Sequence, residues 1–527
     1  MKSSIRKPLW VLLSLLMVVS MLVACQSNTP TSSASVAPST AAAASSEPAA
    51  SKSAEASAPA TDKLDPVTLK IILFADKRAD TDYIWGKVGE YTKDKLNATF
   101  TTAWIPAADY NNKLLAMAAS GDDWDFNFDG DWVVYPRMVN NNAYMDLSAM
   151  LPKYAPDLYA TYQKNGIMDV ITQNGKVFCL PWTMSMSQRP FLQWRADILE
   201  KAGTAVEPGS VKTLEDVDAL YGKLKAAAPD KKIAEAMDFR GIQPKYELAT
   251  MAYYFSYSLT DPTCKITHQA FTDAYMELAQ WDKKWQDAGY IWKDYLTDQH
   301  DGNALIAAGE QISNVTWHEW ANCTMNWGDG SKRANSELYP DKKFGNRSPL
   351  SNILCVNANS ANPERSLMFI NMMQVDQKLF DLVLYGEEGR NYVLGADGSA
   401  TYPQGMKADN SNYMDWQGRW AFWNPQYLRP DTTYGKDFWV NEAKFASEPT
   451  NVNAALVAFF PDPSSVQTEL TLISATDDKW QKQIQAGLAG DPKKAVEDYR
   501  AELKADGIDK VTAEFQKQID AYLATKK

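Results

Sequence analysis

Val67-Thr68-Leu69-Lys70-Ile71-Ile72-Leu73-Phe74 is an apolar run of strand length, and the pattern of the next fifty residues decides the fold. Asp76, Arg78, Asp80 and Asp82 break the run. Ile84, Val88 and Tyr91 then recur at helical spacing. Ala98 to Ile105 reads as a second strand, and Tyr110 to Ser120 as a second helix stopped by Gly121. Trp124 to Phe128 is a third strand running into Gly130-Asp131-Trp132. Strands alternating with helices predict a largely parallel sheet with covering helices, an α/β fold. Ligands of such sheets sit beyond the carboxyl ends of the strands. Asp76, Asp131 and Trp132 fall at those ends and are candidate ligand contacts.

Upstream, the chain is of another kind. Lys2, Arg6 and Lys7 precede an apolar run from Leu9 to Ala24, too short to span a bilayer comfortably. Leu22-Val23-Ala24-Cys25 resembles a lipobox, which predicts loss of residues 1–24 and lipidation of Cys25. Two acyl chains hold a protein stably on a membrane. Residues 26 to 63 are almost all Ala, Ser, Thr and Pro, too poor in apolar side chains to offset ordering entropy. Residues 25–65 are therefore expected to form a lipidated, disordered tether with a reach of roughly 35 Å. The protein is expected on the extracytoplasmic face of a bacterial membrane.

The rest is long enough for two or more lobes with cores of their own. The formal charge is −12, and loss of Lys2, Arg6 and Lys7 makes it −15. That balance argues against nucleic acid and anionic lipid as partners. Cys179, Cys264, Cys323 and Cys355 show no CxxC spacing and leave every disulfide connectivity open. His268, His300 and His318 form no metal-ligand spacing, so histidine-zinc chemistry is not expected; no residue is assigned to a metal and no cofactor is expected. Aromatic residues are abundant, with 18 Trp, 25 Tyr and 18 Phe. Leu278, Trp281 and Trp285 recur at helical spacing and read as core, whereas others lie in loops beside Asn, Asp and Gly.

Further along, Asn174-Gly175 turns into a strand from Val177 to Leu180 that closes on Pro181-Trp182. A helix starts at Arg195, and Thr213-Leu214-Glu215-Asp216 carries the capping signal of another running to Lys225. Tyr246 to Tyr257 is expected to be helical. Gln311 to Val315 reads as a strand leading to Trp317-His318-Glu319-Trp320. Ser351 to Val356 is a strand, Asn362-Pro363-Glu364 opens a helix to about Leu384, and Val466 to Tyr522 is mostly helical.

Lys113-Leu114-Leu115 through Ala119-Ser120-Gly121-Asp122 resembles the signature helix of extracellular solute-binding protein family 1, the sugar-binding proteins of ABC importers. Asn174-Gly175-Lys176-Val177 with Leu180-Pro181, and Asn357-Ala358-Asn359-Ser360 with Asn362-Pro363-Glu364, are similar to its lobe-crossing segments. Tyr385-Gly386-Glu387-Glu388-Gly389-Arg390-Asn391-Tyr392 resembles a Gly-x-Glu-Gly-x-x-Tyr motif of a lipoprotein subgroup with its own C-terminal domain, Asn391 replacing the motif's usual histidine. Phe460-Pro461-Asp462-Pro463 and Gly507-Ile508-Asp509-Lys510-Val511 also look like that subgroup.

The resemblance implies a periplasmic-binding-protein-like fold: two α/β lobes, a hinge, an inter-lobe cleft and a helical C-terminal extension. Lobe 1 would comprise 66–178 and 345–385, lobe 2 would comprise 179–344 and 386–465, and 466–527 would be the helical region. It implies a monomer that captures a carbohydrate, an oligosaccharide in this reading, and delivers it unaltered to permease subunits. Carried over by position, the ligand contacts are Asp76, Asp131, Trp132, Trp182, Trp317, Trp320, Glu388, Trp423 and Asn424. Sugar C–H faces pack on aromatic rings, and sugar hydroxyls need short polar partners. Arg189, Arg195 and Arg390 would suit a uronate, or serve as surface ion pairs.

Asp125, Asn127, Asp129 and Gly130 match the opening of an EF-hand loop, but its twelfth position is Pro136. The alternation of Phe126 and Phe128 reads instead as a strand end. The rival classes are a cell-surface glycoside hydrolase or lyase, with Glu319 and Glu388 as an imagined acid and base, and a peptide-binding lipoprotein.

Overall fold

The computed structural model describes residues 64–173, 175–184, 186–297, 305–306, 308–317, 331–413, 418–422, 424–430 and 437–526. The leader, Cys25, the tether, Glu319, Trp320 and Trp423 lie outside them.

Strand β1 (Val67–Phe74) pairs in parallel with β2 (Ala98–Ile105), from Val67 opposite Ala98 to Phe74 opposite Ile105. Its other edge runs parallel to β3 (Phe126–Asp129). Helices α1 (Thr81–Leu96) and α2 (Ala107–Ser120) make the crossovers. Gly121, at φ 72°, ends α2 in the left-handed region that glycine enters without steric cost. The sheet is completed in antiparallel sense by Ile353–Val356 against β3 and Leu180–Pro181 against Ile353–Val356. Leu69, Ile71, Ile72 and Leu73 are buried, as befits a parallel strand covered on both faces. From α1, Ile84, Trp85 and Val88 enter this first core, while Tyr91 stays at its rim and donates to Asp376 at 3.1 Å.

A second core forms around an antiparallel sheet in which Pro190–Arg195 lies between Arg333–Glu337 and Ser313–Trp317. Helix Leu214–Ala227 has the expected capping box: Thr213 Oγ1 accepts from Asp216 N, and Asp216 Oδ2 accepts from Thr213 N. Helix Asp273–Asp287 buries Leu278 and Trp285 and leaves Trp281 partly exposed. Helices Gln467–Gln485, Pro492–Ala505 and Ile508–Thr525 belong to this same core, into which Leu470, Ile473, Tyr499, Leu503, Val511 and Phe515 are packed.

The expected strand Val177–Leu180 is reduced to Leu180–Pro181, and the helix expected from Asn362 to Leu384 is broken at Asp376 into Pro363–Val375 and Gln377–Leu384; two departures are larger. Tyr246 to Tyr257 is not a helix. Leu248–Thr250 and Phe255–Ser258 form an antiparallel hairpin, turned at Tyr253 and Tyr254 with φ 59° and 58°. Aromatic residues lose side-chain freedom in a helix and pack well across strands, and Phe255 and Tyr257 are buried from this hairpin. The second departure concerns 386–465, which the sequence reading places in the second lobe. Tyr392, Ala400, Tyr413, Ala421 and Phe422 are buried in the first core instead, and the chain joins the second core only from Ala454. Cys179, Cys264 and Cys355 are buried free thiols.

Candidate functional site

The carboxyl end of β3 is fixed by its own backbone. Asp129 Oδ1 accepts from Gly130 N at 2.8 Å and Val134 N at 3.0 Å, and Tyr144 donates to Oδ2. Burial pushes this carboxyl up to about 7, against those three hydrogen bonds. The EF-hand-like carboxylates are thus spent internally: Asp125 accepts from Lys70 N at 2.8 Å and from Ser360 Oγ at 2.6 Å. Gly130 passes so close to the turn Pro349–Ser351, just before the strand Ile353–Val356, that a Cβ would stand 2.5 Å from the Ser351 carbonyl oxygen.

That close approach sets the next two residues. Asp131 N donates to Leu350 O at 2.9 Å, and Trp132 Nε1 to Ser351 O at 2.5 Å. The Trp132 ring meets Phe74 edge-on at 5.6 Å and Trp420 at 6.2 Å, and Trp420 lies parallel to Phe74 at 6.3 Å. Three rings from three chain segments make an aromatic bed. Trp132 is 48% exposed upon it, so its free face is a platform and not packing.

In front of the platform lies a cavity of about 540 Å³, within the usual range of small-ligand sites. Asp131, Trp132 and Arg137 line it from the first core, Arg240 and Tyr253 from the second. Arg347 lines it from the segment that returns to the first core, its guanidinium 5.1 Å from the Trp182 ring centroid. Burial raises the Asp131 carboxyl, opposed by a hydrogen bond from Ser348 and the charge of Arg347. Arg240 is steered by Asp238, whose Oδ2 accepts at 3.0 and 2.6 Å.

Of the residues expected in the site, the structure brings Asp131 and Trp132 to the cavity. Trp182 is only 7% exposed and donates to the Trp420 carbonyl at 2.9 Å, which makes it a wall behind the platform. Asp76 is exposed just past β1 but outside the cavity lining. Asn424 is buried, its Oδ1 accepting from Gln426 N at 3.2 Å, a turn-forming role. Glu388 is exposed in a loop bridged to Tyr392 and does not line the cavity. Its motif anchors the loop after β1: Arg390 Nε and Nη2 and Asn391 Nδ2 donate to Asp80 at 2.8 to 2.9 Å. Asn391 therefore makes a hydrogen bond from the motif's histidine position. Trp317 ends its strand opposite Pro190.

The three arginines singled out from sequence are each engaged elsewhere. Arg189 is buried, paired with Glu337 and donating to the carbonyls of Lys342 and Tyr339. Arg195 pairs with Asp197 at 2.7 Å, and Arg390 with Asp80. The cavity's own cations, Arg137, Arg240 and Arg347, carry no sequence mark that separates them from surface residues. Tyr253 was equally hidden, because its exposure depends on the hairpin turn.

Two cores enclosing a ligand-sized cavity at the carboxyl ends of parallel strands define a two-lobed binding protein of the periplasmic-binding-protein type. Residues 88–379 match the bacterial extracellular solute-binding protein family, and the chain belongs to it. Residues 455–524 match a domain of unknown function (DUF3502). A carbohydrate ABC transporter substrate-binding protein of Streptococcus pneumoniae is 23% identical over 488 residues, covering 89% of this chain and 93% of that protein. The N-glycan transport solute binding protein of Streptococcus pneumoniae shares the fold, with a TM-score of 0.73 at 21% identity over 88% of this chain and 100% of that one. The same protein in complex with Man1GlcNAc gives 0.64 at 19% identity over 87% and 100%.

Proposed function

We propose that this protein captures an oligosaccharide for an ABC importer and hands it, chemically unaltered, to membrane permease subunits. The observation that carries this reading is the exposed Trp132 face, seated on Phe74 and Trp420 and turned to a cavity that both cores line. An indole platform offers a sugar ring apolar contact while flanking Asp and Arg side chains meet its hydroxyls. A ligand touching both cores favours their approach, because closure draws on its differential affinity for the closed form. The named ligands of the relatives support the substrate class.

The same reading has the protein held outside the cell by a diacylglyceryl group on Cys25, with residues 26–63 as a spacer, and working as a monomer. A Cys25→Ser substitution should release it from membranes into the medium.

Titration of purified protein with a panel of neutral and acidic oligosaccharides, monitored by tryptophan fluorescence and calorimetry, tests the central claim. Saturable binding with recovery of the intact glycan is expected. Cleaved glycan in the recovered fraction, or no response across the panel, would defeat it.

A further inference from the structure

The cavity's charge runs against the charge of the chain. The protein has 65 acidic and 53 basic residues, yet the charged residues that line the cavity are Arg137, Arg240 and Arg347 against Asp131 alone. Asp131 is already committed, hydrogen-bonded by Ser348 and facing Arg347. Arg240 is held by Asp238, an exposed pair of the kind worth little and readily exchanged. Arg137 is exposed, its charge reaching the Tyr253 hydroxyl, and it has no carboxylate partner among the described residues. A cation left without a carboxylate on a cavity wall of an acidic protein is not explained by stability.

We infer that the cavity takes a glycan bearing a carboxylate, gripped by Arg137 from the first core and Arg240 from the second. The guanidinium fork matches a carboxylate in two parallel hydrogen bonds. A cleft with low-dielectric walls concentrates the local positive field even where the whole molecule repels anions. Placing one cation on each core also gives an anionic ligand a reason to draw the cores together, whereas the Trp132 platform alone serves one core. This inference rests on the proposed function and narrows its substrate class to acidic oligosaccharides. The carboxylate has two natural positions on a glycan, a terminal sialic acid or a uronate within the chain.

Two matched pairs distinguish them: a sialylated biantennary N-glycan against its desialylated form, and tri-galacturonate against its methyl ester. Calorimetry at low and high salt should show the acidic member of one pair binding at least about tenfold more tightly, with the margin shrinking as salt screens the contact. Arg137→Gln and Arg240→Gln, checked for unchanged circular dichroism, should each bring that preference below about threefold. Equal affinity within both pairs, or a preference that survives both substitutions, overturns the inference. Binding of a neutral glycan with no acidic preference would do so while leaving the proposed function standing. Failure to bind any glycan would remove the function itself.

Discussion

The indole N–H of Trp132 and the carbonyl of Ser351 lie 2.5 Å apart, tying the loop after β3 to the turn Pro349–Ser351 that leads into the strand Ile353–Val356. The platform is thereby fixed in orientation before any ligand arrives, so little side-chain entropy remains to be lost on binding. Arg347 and Ser348 stand just upstream of Ser351, so the segment that brings the chain back from the second core also shapes the site.

Trp132→Ala is expected to lower glycan affinity by at least about 30-fold, or ~2 kcal/mol, with only a small loss of unfolding free energy, because half the ring already faces solvent. Trp182→Ala should do the reverse. Its ring is buried and its N–H is bonded to Trp420, so a loss of about 3–5 kcal/mol is expected. Calorimetry and urea unfolding of both variants check the contrast. A large stability loss for Trp132→Ala with binding retained would make Trp132 a core residue.

Gly130→Ala places a methyl group 2.5 Å from the Ser351 oxygen. The Ser351 oxygen is backbone, and the Trp132 indole 3.0 Å from the same methyl is bonded to it, so the loop must move away and the Trp132 hydrogen bond with it. A destabilisation of about 1–3 kcal/mol is expected, together with loss of glycan binding. A variant that unfolds and binds like the parent would show that the close approach has no consequence.

Asp129 gives the protein a pH signature of the less familiar sign. Its folded-state value is raised to about 7 by burial, so between about pH 4 and 7 the folded form keeps a proton that the unfolded form has released. Stability from this group is full below pH 4 and falls as pH rises through 7, by up to ~1.4 kcal/mol per unit. Asp129→Asn should flatten that decline while keeping acceptors for Gly130 and Val134 N–H. Urea titrations of both proteins at pH 4.5, 6 and 8 measure it, and parallel pH profiles would refute the assignment.

Much of the fold was legible where its signals are local. The run from Val67 to Phe74 is apolar at every position but Thr68 and Lys70, the helix stop at Gly121 is a conformational need, and the Thr213 capping box is a four-residue pattern. The hairpin at Leu248 to Ser258 was not, since residues that could pack on a helix face pack equally across two strands, and two tyrosines at positive φ leave no mark in sequence. Charges failed for a different reason. Arg189 and Glu337 lie 148 residues apart, and nothing local tells a buried pair from a ligand contact. Trp132 could be placed because topology fixes where a strand ends; Arg137 could not, because its exposure depends on what the second core leaves uncovered.

Asn391 should prove structural. It is fully buried, donates to Asp80 at 2.8 Å and accepts from Glu387 N at 3.0 Å. Asn391→Ala removes the acceptor of Glu387 N and one of the three donors to Asp80, and should cost about 1–3 kcal/mol. Asn391→Asp sets a second carboxylate against Asp80, whose own carboxyl is held below its ordinary value by the Arg390 hydrogen bond. Its melting-temperature deficit should therefore be larger at pH 7 than at pH 4, where one of the two carboxylates takes up a proton. An equal deficit at both pH values would rule out the charge clash.

The C-terminal helices should not be separable from the second core. Leu470, Ile473, Tyr499, Leu503, Val511 and Phe515 are all buried in it. Polar ties run the same way: Arg500 Nε donates to Ala270 O at 2.6 Å, and Gln516 Oε1 accepts from Ile266 N at 2.9 Å. Tyr499 donates to Asp477, which faces His268 at 3.4 Å. Each large side chain withdrawn from a core costs about 2–5 kcal/mol, so six cost about 12–30 kcal/mol, enough to cancel the roughly 5–15 kcal/mol that holds a typical domain together. A chain ending at Val466 is accordingly expected to lose near-ultraviolet circular dichroism, bind a hydrophobic dye and lose glycan affinity. Retention of a cooperative unfolding transition with normal binding would instead make residues 467–527 an independent module docked on a self-sufficient lobe.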